Sequence, residues 1–393
     1  MTDVSPLMTT YPPAELGFSH GEGVWLIGHD GRTYLDGLAG IAVNTLGHAH
    51  PVLTEALREQ VGRLIHCSNL YDMPLQRELA QLLLDQTGMT NVFFCNSGLE
   101  ANEAAIKLAR LHGKRKGIDA PEIIVYEGAF HGRSLATLSA TGNAKVHAGF
   151  EPLVPGFVRT GLNDIDDLRR IAQSNKNVSA VFLETIQGEG GIRPSRAEYL
   201  KQVRELCDAN DWLLMLDEVQ CGTGRTGKLL AHQWADVKAD VVPMAKGLGS
   251  GVPIGAVIAH GKAADLFKPG HHGTTFGGNP LAMRAGITTM QVIEKDQLMQ
   301  NATTVGNWLM STLKSEIGEL AGVKEVRGQG LMIGIEMIKP CPDLNAQALA
   351  AGLLLNVTAG NVIRLLPALI LTQSEAAEIL NRLVPIIRSA ANA

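Results

Sequence analysis

Trp212-Leu-Leu-Met-Leu-Asp217 and, further on, Asp240-Val-Val-Pro-Met-Ala-Lys246-Gly-Leu-Gly-Ser-Gly251 are the two stretches from which the chain is best read. In the first, an apolar run of strand length ends in an aspartate. In the second, a lysine follows an apolar run and enters a glycine-rich turn. A lysine there is badly placed to solubilise the protein and well placed to form a Schiff base with a carbonyl. An aspartate closing a buried strand suits a protonated pyridine nitrogen. Together they suggest pyridoxal phosphate, which needs a lysine and an acidic partner for its ring nitrogen. A lone lysine is more commonly a solvated surface charge, so this pair alone leaves both readings open.

Outward from these stretches, short apolar runs at 92–95, 123–126, 178–183, 213–216, 241–244 and 256–259 alternate with helical stretches. That alternation predicts an α/β fold with a mostly parallel sheet and crossover helices. Upstream, residues 24–27 and 33–35 flank His29-Asp30-Gly31 and predict a small hairpin, and helices are expected after Pro51 and from Pro74. After residue 300 the texture changes: a helix over 305–317, antiparallel strands within 323–336, helical segments near 344–355 and 373–390, and a strand at 362–366. We expect a large domain over 51–299 and a smaller α+β domain over 300–393. Residues 1–50 are expected to pack with the small domain or across a partner subunit.

Composition narrows the function classes. The chain has 393 residues, 45% of them hydrophobic, which suits a large globular core. A formal charge of −5 offers no broad basic surface, so nucleic acid is not an expected partner. No apolar run reaches membrane-spanning length, and the N-terminal residues lack the basic and apolar regions of a signal peptide. The five cysteines are scattered and form no C-x-x-C pair, which fits a reduced, cytoplasmic protein.

Several motifs could carry chemistry. Asn96-Ser97-Gly98-Leu99-Glu100 follows a strand and opens a helix, with Ser97 or Asn96 as N-cap; such a start is an anion site, although many capped helices bind nothing. A macrodipole near half a charge cannot neutralise a phosphate dianion, so further donors must converge. Phe130-His131-Gly132-Arg133 offers an aromatic to stack on a planar ring and a guanidinium to clamp a carboxylate; equally, Phe130 could be core and Arg133 a surface fork. Glu184 and Glu189 lie at a strand end before a glycine turn and suit either a cleft or a solvated loop. Thr274 and Thr275, beside flexible glycines, are possible phosphate donors or simply a turn before a Pro-started helix.

Arg364 stands in the middle of an apolar strand, where a charge is costly unless paired, so a carboxylate partner is implied from substrate or protein. Gly222, Gly224 and Gly227 match a dinucleotide spacing, and residues 222–228 match the start of a P-loop. Leu229 stands where a P-loop needs a hydroxyl, and residues 218–221 separate the glycines from the strand, so both nucleotide readings are discounted. His48, His50, His66, His271 and His272 lack metal-site spacing, and no metal is expected.

In their order and completeness these motifs resemble the class III pyridoxal-phosphate aminotransferases, of fold-type-I architecture. The resemblance runs from Tyr11-Pro-Pro and Leu38-Ala-Gly-Ile-Ala-Val-Asn44, through Cys67-Ser-Asn-Leu-Tyr71, to Arg364-Leu-Leu-Pro367. It implies that Lys246 and Asp217 are catalytic, that Phe130 and Val219 sandwich the ring, and that Gln220 reaches toward the ring hydroxyl. It implies that Ser97, Gly98 and Leu99 bind phosphate, joined by Thr275 of the other subunit of an obligate homodimer, with Glu218 also on the cofactor side. On the substrate side it implies Tyr11, Glu184 and Thr274, with Arg133 on the α-carboxylate of acetylornithine. Arg364 would hold glutamate or 2-oxoglutarate, and Glu189 would cover Arg364 when the other substrate is bound. The implied reaction is transamination between N2-acetylornithine and 2-oxoglutarate, with succinylated ornithine or succinyl-diaminopimelate as further donors; ornithine or 4-aminobutyrate as donor, or an aminomutase on the same fold, are the alternatives. The chain departs from the family pattern at Leu99, Thr185, Thr274 and Ala368, which bears on acyl specificity and cofactor affinity rather than on the core chemistry.

Overall fold

The computed structural model describes residues 6–11 and 16–391. Its centre is a seven-stranded sheet in the order Asn91–Cys95, Gly255–Ala259, Val241–Met244, Leu213–Asp217, Val178–Glu184, Glu122–Tyr126, Phe157–Thr160. All neighbours run parallel except Gly255–Ala259, which is antiparallel to both of its own. Every residue of the central strands Val178–Glu184 and Leu213–Asp217 is buried. This is why they are written as unbroken apolar runs rather than alternating ones: helices cover both faces. The 18-residue helix Gly98–Arg115 packs on one face through Ala101, Ala104, Ala105 and Leu108, small residues that let it lie close.

The C-terminal third forms a four-stranded antiparallel sheet in the order Val323–Gln329, Met332–Met337, Val362–Leu365, Asn356–Thr358. Helices Leu298–Ile317 and Gln373–Ala391 pack with it in one core, to which Val24, Leu35 and Leu46 of the N-terminal segment also contribute. The hairpin strands Trp25–Gly28 and Thr33–Asp36 join Phe18–Glu22 in a separate sheet, whose fourth strand is Leu353–Leu354. The segment before residue 50 is thus tied to the C-terminal third by backbone pairing. Among the described residues, no helix is long and apolar enough to cross a membrane.

Several elements differ from the sequence reading, among them short strands such as Phe18–Glu22 and Asn356–Thr358, and a helix that begins at Leu298 rather than at 305. The edge strand Phe157–Thr160 was not expected; it is four residues long and only half-buried, so it carries no apolar run. The helix expected over 344–355 stops at Ala350, because Gly352 takes a left-handed φ of 76° and turns the chain into the Leu353–Leu354 strand.

The topology brings three charged residues to one edge. Asp217 and Glu184 are paired residues at the ends of adjacent parallel strands, and Lys246 follows the next strand along, Val241–Met244. Ligand crevices of α/β sheets lie outside this carboxyl edge.

Candidate active site

A cavity of about 410 Å³ opens at that edge, lined by Ser97, Leu99, Phe130, Asp217, Val219 and Lys246 among others. Lys246 reaches it from a backbone with φ of 45°, a left-handed conformation that is costly for a residue with a side chain. The N-terminal segment holds that turn in place: Thr45 Oγ1 donates to Gly247 O at 3.0 Å, and Leu46 N donates to Ser250 Oγ at 2.9 Å. The Lys246 amine makes no hydrogen bond, and burial lowers its pKa despite the nearby carboxylates of Glu189, Glu184 and Asp217. A neutral amine is the form that attacks a carbonyl or accepts a proton.

Asp217 is buried and anchored by three donors. Its Oδ2 lies 2.8 Å from both Asn102 Nδ2 and His131 Nδ1, and its Oδ1 accepts from Val219 N at 2.9 Å. A carboxylate only accepts, so His131 Nδ1 carries the hydrogen. The His131 ring stacks on Phe182, with centroids 4.1 Å apart, and its Nε2 is buried without a partner. Neither His131 nor Asn102 was assigned a role from the sequence. Asn102 left one trace there: an amide on the otherwise alanine-rich buried face of its helix.

The Gly98–Arg115 helix points its N-terminus at the cavity. Ser97 is its N-cap, accepting from Glu100 N at 3.2 Å. The Gly98 and Leu99 N–H groups have no intrahelical acceptor at such a start and are free for an anion. A side chain at Gly98 would bring its Cβ within 2.6 Å of Val219 Cγ1, so only glycine lets the helix approach this closely.

Glu184 is buried in the same wall. Its two oxygens accept from Phe130 N at 2.8 Å and Gly188 N at 3.0 Å, tying together two loops. Burial, and then the charge of Asp217, raise its pKa to about 8. It is therefore largely protonated at neutral pH.

The two arginines differ in setting. Arg133 is exposed at the cavity rim, its guanidinium 5.8 Å from the Phe130 ring centroid and without a carboxylate partner. Arg364 is fully buried, supplies Nη1 to Glu189 Oε1 at 2.5 Å and to Gln220 Oε1 at 3.1 Å, and keeps Nη2 unpartnered. The carboxylate partner implied by the sequence is thus Glu189. Gln220, expected toward the cofactor, places its amide oxygen on Arg364 in this arrangement.

Other expected site residues lie elsewhere. Glu218 does not line the cavity; this corrects its placement on the cofactor side. Its buried carboxylate turns away to His232 Nδ1 at 2.9 Å, Ala231 N at 2.8 Å and Thr185 Oγ1 at 2.8 Å. Strand alternation explains this, since neighbours of Asp217 face the opposite side. Tyr11 is 81% exposed and does not line the cavity. Thr275 is exposed and Thr274 half-buried, with Asn96 Nδ2 donating to Thr274 Oγ1 at 3.1 Å; neither lines the cavity of its own chain. In the glycine-rich loop at 222–228, Thr223, Gly224 and Gly227 take left-handed φ values. Its Arg225 is buried and donates to the backbone oxygens of Leu331 and Pro367, pinning the large sheet's loops to the C-terminal third.

Fold and cavity together define an α/β enzyme built around a half-buried lysine. The family model for class-III aminotransferases matches residues 9–387, and the chain belongs to that family. It is 52% identical over 384 residues to the acetylornithine aminotransferase of Nitrosomonas europaea, covering 98% of each chain. Among solved structures it matches the N-acetylornithine aminotransferase of Stenotrophomonas maltophilia with TM-score 0.84 and 36% identity, over 97% of this chain and 98% of that one. It matches the ornithine aminotransferase of Toxoplasma gondii with TM-score 0.94 and 32% identity, over 98% and 93%. Backbone similarity alone therefore does not separate these substrates.

Proposed function

We propose that the chain is a pyridoxal-phosphate-dependent transaminase, passing the δ-amino group of N2-acetylornithine to 2-oxoglutarate. The products are N-acetylglutamate 5-semialdehyde and glutamate. The observation that carries the reading is the meeting of Lys246 and the thrice-anchored Asp217 in one cavity, beside a free helix N-terminus. The cavity residues fit such a cofactor: Gly98 and Leu99 N–H for its phosphate, Phe130 and Val219 for its ring faces, and Asp217 for its ring nitrogen. When bound, pyridoxal phosphate supplies a carbonyl to carry the amino group and a ring to take up the electron pair of the substrate carbon.

The protein's own groups do the rest. Lys246, with its lowered pKa, takes the proton from the substrate carbon and returns it. Asp217, held by His131, Asn102 and Val219 N, keeps the hydrogen on the ring nitrogen. Arg133 at the rim binds the distant α-carboxylate of acetylornithine, leaving its δ-amine at the Lys246 end. Arg364, with a spare donor, binds the nearer carboxylate of glutamate or 2-oxoglutarate. Two cations at different depths let one centre serve two donors.

The acyl group follows from charge. Free ornithine would place an ammonium beside Arg133, while the only carboxylates lining the cavity among the described residues, Glu184 and Asp217, are committed deep in its wall. An acylated, neutral nitrogen meets no such conflict.

We further read the active unit as a cytoplasmic homodimer, with the large and small domains divided near residue 300. In support, Leu64, Ile65, Leu70, Tyr71 and Phe276 are 45–88% exposed. They lie on neighbouring segments: the His66 and Phe276 rings are 5.3 Å apart, and Asn69 Nδ2 donates to Gly277 O at 2.9 Å. An apolar patch of this kind marks an interface, and Thr275 stands within it. The five cysteines are unpaired. Specificity constants for acetylornithine, ornithine and 4-aminobutyrate, each with 2-oxoglutarate, test the substrate; a preference for either unacylated donor overturns it. Turnover without 2-oxoglutarate would point instead to an aminomutase.

A further inference from the structure

A second cavity, also of about 410 Å³, shares Phe130 with the first in its lining. Its wall includes Glu127, Asn143, Gln187, Glu189 and Arg193. Glu189 is thus placed between Arg364 and this space. Its side chain is 37% exposed, whereas that of Arg364 is 0% exposed, so the glutamate is the member of the pair that borders open space.

The Glu189 backbone is held. Thr358 Oγ1 donates to Glu189 O at 2.7 Å, and Arg327 donates to Gly191 O and Ile192 O at 2.6 and 2.8 Å. Gly188 and Gly190 flank Glu189, so neither sequence neighbour sets a side chain against its rotation. The device is therefore a side-chain turn on a fixed loop.

Arg193 stands at the other end of that turn. Its Nε donates to Gly190 O at 3.0 Å, and its guanidinium has no carboxylate partner. Gly190 is the residue after Glu189, and successive Cα atoms are ~3.8 Å apart, so this exposed guanidinium is tethered to the backbone next to Glu189. Arg327, the other cation of this loop, is already paired with Glu325 and Glu336. Glu127, exposed on the same cavity, is the one competing carboxylate there.

We propose that Arg193 is the second station of Glu189. A substrate carboxylate on Arg364 displaces the glutamate, whose side chain turns into the second cavity and pairs with Arg193. With acetylornithine bound, it returns to Arg364. Arg193 is a positioning residue that acts through Glu189, and the proposal rests on the assignment of Arg364 to the carboxylate of glutamate and 2-oxoglutarate.

The two half-reactions of the holoenzyme, measured separately, test it. Arg193→Ala is expected to raise KM for glutamate and 2-oxoglutarate about fivefold, ~1 kcal/mol at 1.4 kcal/mol per tenfold, with kcat and the acetylornithine KM unmoved. Arg193→Lys restores most of the loss. In a Glu189→Gln background the Arg193→Ala effect disappears, because an amide needs no cation. Equal KM changes in both half-reactions, no change in either, or an undiminished effect in the Glu189→Gln background overturns the proposal. Arg364→Lys separates the two ideas. An unmoved glutamate KM there removes the assignment of Arg364 and this proposal with it; a raised KM there, with none in Arg193→Ala, removes this proposal alone.

Discussion

His131 Nδ1 lies 2.8 Å from Asp217 Oδ2, with the imidazole fully buried and stacked on Phe182. The histidine fills the space behind the aspartate and directs one of its oxygens. His131→Phe keeps the stack and removes the donor. Asn102 Nδ2 still donates to that oxygen, but a hydrogen bond to a charged group contributes ~1.5–3 kcal/mol, so kcat is expected to fall roughly 10- to 100-fold at 1.4 kcal/mol per tenfold. Both substrate KM values are expected to change little. Steady-state kinetics check this; activity within about twofold of the unaltered enzyme, set against that range, counts against the role of His131.

Glu184 gives a pH signature. Its carboxyl titrates at about 8 in the folded protein against 4.5 ordinarily, because burial and Asp217 oppose its charge. Between those values the folded state binds the extra proton, so the stabilisation is complete below 4.5 and is lost as pH rises through about 8. Glu184→Gln mimics the protonated form. Thermal melting of the cofactor-free proteins from acid to alkaline pH is expected to show the wild type losing stability relative to the variant as pH rises. Parallel curves would remove the shifted carboxyl.

The settings of Arg133 and Arg364 predict opposite losses. Arg133→Ala is expected to weaken acetylornithine far more than glutamate, since the side chain is exposed and free of other partners. Arg364→Ala is expected to do the reverse. Loss of a hydrogen-bonded charge partner costs ~2–5 kcal/mol, roughly 30-fold or more in specificity constant. Equal losses for both substrates in either variant would refute the two-cation arrangement.

Thr275 tests the shared site. A hybrid of one Lys246→Ala subunit and one Thr275→Ala subunit holds one fully intact site only if the threonine serves the opposite subunit. Cofactor titration of purified hybrids is expected to show one site of wild-type affinity. If the one site that keeps Lys246 binds as weakly as the Thr275→Ala homodimer, the threonine serves its own chain.

The residues differ in how plainly the sequence announced them. The six strands expected in the large sheet are each present, because strands covered by helices are written as largely apolar runs, whether parallel or, at Gly255–Ala259, antiparallel. The short edge strand Phe157–Thr160 has no such signature, since only one of its four residues is buried. Lys246 and Asp217 were conspicuous because each ends an apolar run with a charge. Glu218 was misplaced because adjacency in sequence puts it on the opposite face of the strand. His131 and Asn102 were passed over because their partner is distant in the chain: 86 and 115 residues separate them from Asp217.

What the sequence determined by itself was the alternation of apolar strands and helices, the capped start at Ser97, and which residue types could handle a carbonyl, a ring nitrogen and two carboxylates. These are local properties, written in neighbouring residues. Only the tertiary structure decided that Glu184 and Asp217 end adjoining strands with Lys246 just past the next one, that Glu189 covers Arg364, and that Arg193 lines the same cavity as Glu189. Those relations depend on which strands pair and which loops close over them. That pairing is settled by burying the whole apolar surface at once, and no single stretch of the chain records it.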